Sequence, residues 1–272
     1  METVIVIGLG EVGRPLYEIL RSSESFDVYG YDLREDISPH GLGELPRGPD
    51  FLHICYPYTD EFIDTVLEYV RILRPKALLI HSTVLPGTTR SIHMKAGLPA
   101  GYSPVRGRHP NLKRDMMLWP KWVSSHPLES TQLFAGHSAK AGFKVRVASS
   151  PEALELAKLF ETAYRAVMIA AWHEIHRLSR TFNASLEEIA NFIAEVHEVL
   201  GDRPVYYPDH IGGHCLIPNT ELLDKIDPES IWGFVLRSNE RRMEELNDDG
   251  VKRDVEALRK LCRRLTPSWY LE

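Results

Sequence analysis

Residues 8–13 read Gly-Leu-Gly-Glu-Val-Gly, between a β-branched run at 3–7 and a helical pattern marked by Leu16, Ile19 and Leu20. No other feature narrows the possible folds as far. A G-x-G-x-x-G spacing is weak alone, but between a strand and a helix it specifies a crossover unit built around a dinucleotide. Gly8 permits the tight turn, Gly10 lets the backbone approach a diphosphate, and Gly13 lets helix and strand pack closely. The first amides of the helix then offer donors and a favourable dipole to an anion. A second strand at 28–31 ends at Asp32, where a carboxylate can accept from a ribose diol and disfavours a 2′-phosphate. NAD is therefore expected as the cofactor in preference to NADP, with Arg34 pulling the other way. The candidate cofactor residues are Gly8, Leu9, Gly10, Glu11, Val12, Gly13, Asp32 and Arg34. Tyr56 and Pro57 after the third strand join them, with Ser82 and Thr83 after the fourth.

Further strands are predicted at 51–55, 77–84, 101–105 and 143–148, with an amphipathic helix over 60–73 and a loop over 34–49. Strands alternating with helices imply a parallel sheet covered on both faces. The character changes at Ser149-Ser150-Pro151: Ser150 can cap a helix that has Pro151 in its first position. No glycine or internal proline follows until residue 180, so one long helix is expected there. Ser185 and Glu188 form a capping-box pattern ahead of a helix to about residue 200. A loop is read over 201–218, then helices near 231–246 and 251–264. The fold class is thus α/β: a Rossmann-type doubly wound parallel sheet over 1–149, followed by a smaller all-helical domain over 150–272.

A net charge of −6 argues against a general nucleic-acid binder, so no nucleic-acid partner is expected. Three scattered cysteines, Cys55, Cys215 and Cys262, make neither a disulfide framework nor a zinc spacing, and no metal is expected. The opening residues read as a strand and not as a signal peptide, and no apolar run is long enough to span a membrane. A cytoplasmic protein without membrane partners is expected.

Three more segments carry chemistry-bearing residues: His81-Ser82-Thr83-Val84-Leu85-Pro86-Gly87, Glu155-Leu156-Ala157-Lys158 running on to Thr162-Ala163-Tyr164, and Gly212-Gly213-His214-Cys215-Leu216-Ile217-Pro218. With the glycine loop, they resemble the UDP-glucose/GDP-mannose dehydrogenase family from residue 1 to about 246. The resemblance implies oxidation of a sugar alcohol with NAD, with Cys215 capturing an aldehyde, Lys158 polarising the developing oxyanion and Thr83 contacting a catalytic water. Without its neighbours Cys215 reads as a small buried thiol, and Lys158 as a snorkelling side chain. The sequence also departs from the family. Thr162 stands where the family has asparagine, Asn219 where it has aspartate, and Ser103-Pro104-Val105 where it has Ser-Pro-Glu. These changes remove the obvious carboxylate bases, leaving His109, His173 and His214 as possible ones. A third, nucleotide-gripping domain of the family is expected to be lacking.

Arg106, Arg108, His109, Lys113 and Arg114 crowd together after the fifth strand. They read either as an anion site, led by Arg106 and Arg108, for a small acidic substrate, or as a solvated loop. Three functions remain open at this point: a nucleotide-sugar-type dehydrogenase, a two-electron hydroxyacid-type dehydrogenase needing no cysteine, and a non-redox transferase or ligand-binding protein. A homodimer is expected, from the apolar breadth of the long helix and from the resemblance.

Overall fold

The computed structural model describes residues 1–107, 111–202, 204–213 and 215–265. The chain forms two compact units, Met1–Lys158 and Leu159–Glu272.

The first unit is built on a seven-stranded sheet: β1 (Glu2–Ile7), β2 (Phe26–Tyr31), β3 (Phe51–Ile54), β4 (Ala77–Ile80), β5 (Ala100–Tyr102), β6 (Lys121–His126) and β7 (Val145–Val147), in spatial order β2-β1-β3-β4-β5-β6-β7. The central strands β3 and β4 are buried throughout, as expected of strands covered on both faces. Helices α1 (Gly13–Ser22), α2 (Phe62–Leu73), α3 (Thr88–Ala96), α4 (Leu112–Leu118) and α5 (Thr131–Lys140) complete the unit. Their apolar residues form one cluster with Leu16 and Phe134 and another with Phe62 and Val66.

The order in which strands are added reverses at β1, with β2 on one side and β3 on the other, which opens a crevice at the carboxyl ends of β1 and β3. Every strand pair is parallel except β5 with β6, where Gly101 faces Ser125 in antiparallel register. That pair corrects the all-parallel expectation. The strand β6 is also new: Lys121, Ser124 and Ser125 are buried polar residues, and no apolar alternation announces them. The predicted strand at 101–105 is shorter, with Ser103 onwards outside it.

The second unit is helical. The 31-residue α6 (Pro151–Thr181) starts in the first unit and continues into the second, its amide end met by Ser150 Oγ at 3.2 Å from Ala153 N. Helix α7 (Leu186–Leu200) begins at Ser185, whose side chain accepts from Glu188 N. Then come α8 (Leu216–Ile226), α9 (Ile231–Glu245) and α10 (Asp249–Leu265). Helix α8 begins inside the stretch 201–218 read from sequence as loop and runs on through residues for which no element was expected. Pro218 sits in its first turn, where an N–H would have no helical partner anyway. Trp172, Leu186, Ala190 and Leu258 form one apolar cluster of this unit. No helix among the described residues is long and apolar enough to cross a membrane.

Candidate functional site

The glycine loop lies at the crevice between β1 and β3. Gly8 has φ +86° and donates to Tyr31 O at 2.9 Å. A Cβ on Gly8 would stand 2.8 Å from Tyr56 N, and one on Gly13 only 1.7 Å from Gly8 O. These two glycines are required by packing. Gly10 differs: a Cβ there would meet only the Arg34 side chain, at 3.8 Å. The space above Gly10 is open on the side where a diphosphate would lie. Helix α1 has neither a side-chain cap nor an acidic residue in its first turn, so the side chains described there leave its positive end to an anion.

Asp32 ends β2 and ties the loop down. Its Oδ2 accepts from Leu9 N at 2.6 Å, and its Oδ1 from Arg34 N at 2.9 Å, with Arg34 Nε 3.6 Å away. The residues present therefore fit NAD: a diphosphate at Gly10 and the start of α1, and a ribose at Asp32. Glu11 and Val12 line the same turn.

Ser82 is buried and donates to Tyr56 O at 2.6 Å, linking the ends of β3 and β4. Thr83 beside it is half-buried, and Pro57 is exposed. The Tyr56 ring packs 5.0 Å from Phe62. Its hydroxyl is buried and has no partner among the described residues.

Sequence reasoning overlooked Glu155 as a functional side chain. It is fully buried in the first turns of α6, and its carboxylate accepts from Gly87 N (2.7 Å), Thr89 N (3.0 Å) and Thr89 Oγ1 (2.6 Å). An α6 carboxylate thus caps the amide end of α3, the helix that follows the Ser82-Thr83 loop. Burial raises its carboxyl above the usual range although three donors pull it down. The available signal was an acid directly after Leu154 with Pro86-Gly87-Thr88-Thr89 upstream. Lys158, three residues on, is half-buried.

The basic segment is largely engaged within the unit. Arg106 donates to Pro120 O at 2.5 Å and lies over the Trp119 ring, 5.5 Å from its centre. Lys113 pairs with Glu18 at 2.9 Å, and Arg114 with Asp115 at 3.4 Å. Arg108 and His109 fall outside the described residues.

In the second unit, Cys215 is the N-cap residue of α8 and is exposed. Its carbonyl accepts from Asn219 N at 3.0 Å. Asn219 is buried and donates through Nδ2 to Thr162 Oγ1, which in turn donates to Leu159 O at 3.1 Å. The two residues that replace the family's asparagine and aspartate therefore bond to each other. His214 falls outside the described residues. Among the three thiols, Cys55 is buried and pushed up to about 12 by desolvation, and Cys262 to about 11. Only Cys215 is exposed.

Residues 152–241 match the model of the UDP-glucose/GDP-mannose dehydrogenase family, central domain. The chain is similar to this family over its central domain. A UDP-N-acetyl-D-mannosamine dehydrogenase of Pyrococcus horikoshii is 25% identical over 276 residues, covering 81% of this chain and 63% of that protein. The chain thus spans under two thirds of the length of that curated relative. The solved UDP-D-ManNAc dehydrogenase structure from Pyrococcus horikoshii superposes with a TM-score of 0.73 at 19% identity, covering 88% of this chain and 68% of that one. A 3-hydroxyisobutyrate dehydrogenase of Mycobacterium tuberculosis gives 0.66 at 17% identity, covering 96% and 99%. Both likenesses concern the fold.

The first unit also carries a buried polar chain that composition did not announce. His137 Nδ1 lies 3.1 Å from Glu2 Oε2, His137 Nε2 3.0 Å from His53 Nε2, and His53 Nδ1 2.9 Å from His81 Nε2. His81 Nδ1 then meets Ser103 O at 2.8 Å, with Lys121 Nζ 3.4 Å from each. Burial holds the three imidazoles below their usual range, and brings Lys121 down to about 8.

Proposed function

We propose that this chain is an NAD-dependent oxidoreductase that oxidises an alcohol on a small, sugar-like or anionic substrate. The observation that carries the reading is the open space over Gly10, at the uncapped amide end of α1, with the Asp32 carboxylate beside it. The match of residues 152–241 to the central domain of the UDP-glucose/GDP-mannose dehydrogenase family supports it. NAD, when bound, supplies the hydride acceptor. The chain's own contribution there is to hold the diphosphate with the first amides of α1 and the ribose with Asp32, while Ser82 and Thr83 close the neighbouring strand ends.

Cys215 supplies the second chemistry of the proposal. Its sulfur adds to an aldehyde carbon, forming a C–S bond while the carbonyl oxygen takes up a proton. Charge developing beside it lies at the amide end of α8, where the dipole favours an anion. Lys158, Thr162 and Asn219 are the accompanying polar residues in this reading, with His214 adjoining the thiol in sequence. Arg106 and Arg108 remain the proposed contacts for an acidic substrate group. The protein is proposed to act as a cytoplasmic homodimer.

A second reading, a two-electron hydroxyacid-type oxidation that needs no thiol, draws on one observation. Asn219 and Thr162 are neutral and bonded to each other, so neither is a carboxylate that could activate water for hydrolysis. One set of measurements separates the two. Titration with NAD and NADP, followed by calorimetry, should show NAD binding more tightly, and no binding of either would remove both readings. NADH formation is then followed at 340 nm with a panel of UDP-sugars and hydroxyacids. Cys215→Ser should abolish turnover under the first reading and spare it under the second.

A further inference from the structure

The backbone that leads into Cys215 is gripped from three helices. Asn239 on α9 is buried and faces Ile211. Its Oδ1 accepts from Ile211 N at 2.6 Å, and its Nδ2 donates to Ile211 O at 3.3 Å. One side-chain amide therefore meets both polar groups of one residue. His173 on α6 has no exposed surface, and its Nε2 lies 2.7 Å from Asp209 O. A carbonyl can only accept, so Nε2 carries the proton and Nδ1 is the acceptor. Ser238 Oγ, 3.2 Å from Nδ1, then donates to it, and Arg177 donates to that oxygen at 3.1 Å. From α10, Arg259 pairs with the Asp209 carboxylate.

The Ile211 side chain is buried against Ala166, Ala170 and Val235, and Leu216 and Ile217 pack on the same cluster. The chain is thus held four residues before the thiol and again directly after it. Between lie Gly212 and Gly213, the latter at φ +85°. A segment that merely joins two helices could leave its carbonyls and amides to water. Burying an imidazole and a carboxamide to hold it carries a desolvation cost. That cost has a counterpart if the thiol a few residues on must be kept in place.

We propose that Asn239 and His173 are positioning residues for the Cys215 thiol, acting through the backbone of residues 209–211. Their effect on turnover rests on the reading of Cys215 as a reacting group; their effect on the thiol itself does not.

The test uses the full chain with Asn239→Leu, His173→Phe and His173→Gln, the last restoring an N–H donor near the place of Nε2. Cys215 alkylation by iodoacetamide is followed by peptide mass spectrometry, with Cys55 and Cys262 as internal controls. In parallel, kcat and KM are measured by NADH formation with UDP-N-acetyl-D-mannosamine as the probe. Asn239→Leu and His173→Phe should slow Cys215 alkylation about threefold or more. They should lower kcat about tenfold or more, with the KM for NAD unchanged. His173→Gln should recover both rates.

If Cys215→Ser keeps full turnover while Asn239→Leu slows alkylation, the thiol is not the reacting group and the clamp stands. If Cys215→Ser is inactive while Asn239→Leu and His173→Phe leave alkylation and kcat unchanged, the clamp is overturned. Should Asn239→Leu fail to fold, the His173 pair decides: Gln as slow as Phe overturns the proposal. Should the probe not turn over, the alkylation rates decide.

Discussion

At the residue scale, Gly10 and Gly13 separate packing from binding. A methyl on Gly13 collides with Gly8 O, whereas one on Gly10 meets only the end of a flexible arginine. Gly10→Ala should therefore change stability by no more than about 0.5 kcal/mol, yet weaken NAD binding, because the methyl enters the space proposed for the diphosphate. Gly13→Ala should fail to give a stable protein. Urea denaturation and calorimetric NAD titration check both, and Gly10→Ala binding NAD like the wild type would remove the diphosphate from this turn. Glu155 makes a similar argument for stability. Replacing it by alanine strips a buried acceptor from three donors, and the loss in urea denaturation should be about 2–4 kcal/mol. A loss below about 0.5 kcal/mol would mean that water replaces the carboxylate.

At the element scale, β6 and α8 show why local pattern reading stops short. The strand β6 buries Lys121 and Ser125 because residues outside it supply their partners: Lys121 Nζ lies 3.4 Å from Ser103 O, and Ser125 Oγ 3.0 Å from Thr131 Oγ1. Helix α8 starts at Cys215 because Pro218 falls where a missing N–H is harmless. The histidines strung between β3, β4 and α5 add a pH dependence. Their folded-state values are depressed by burial, so the folded state binds fewer protons than the unfolded one near pH 6. Stability from keeping them neutral is present above the unfolded value near 6.5 and is lost as pH falls below it. Imidazole proton shifts of His53 and His81 should stay flat between pH 8 and 6. Titration of either with a midpoint at 6.5 or higher would show that the chain is hydrated in solution.

At the scale of the whole molecule, the second unit leaves large apolar side chains in water: Tyr164 is 64% exposed, Leu178 58% and Phe192 74%. Surfaces of this kind usually meet a partner, and the proposed occupant is a second copy of the chain. Light scattering should give twice the mass of one chain, and Tyr164→Glu with Leu178→Glu should halve it. A monomeric wild type at micromolar concentration ends that proposal.

The glycine spacing, the acid after the second strand and the capping residues Ser150 and Ser185 act over a few neighbouring residues. For that reason the fold class, the glycine turn and the starts of α6 and α7 could be read from sequence. Glu155 on α3, the histidine chain and the grip of Asn239 and His173 on residues 209–211 join positions between 28 and 135 apart in the chain. Such pairs are chosen by where whole elements pack, because burying a polar group is tolerated only when a distant partner arrives beside it.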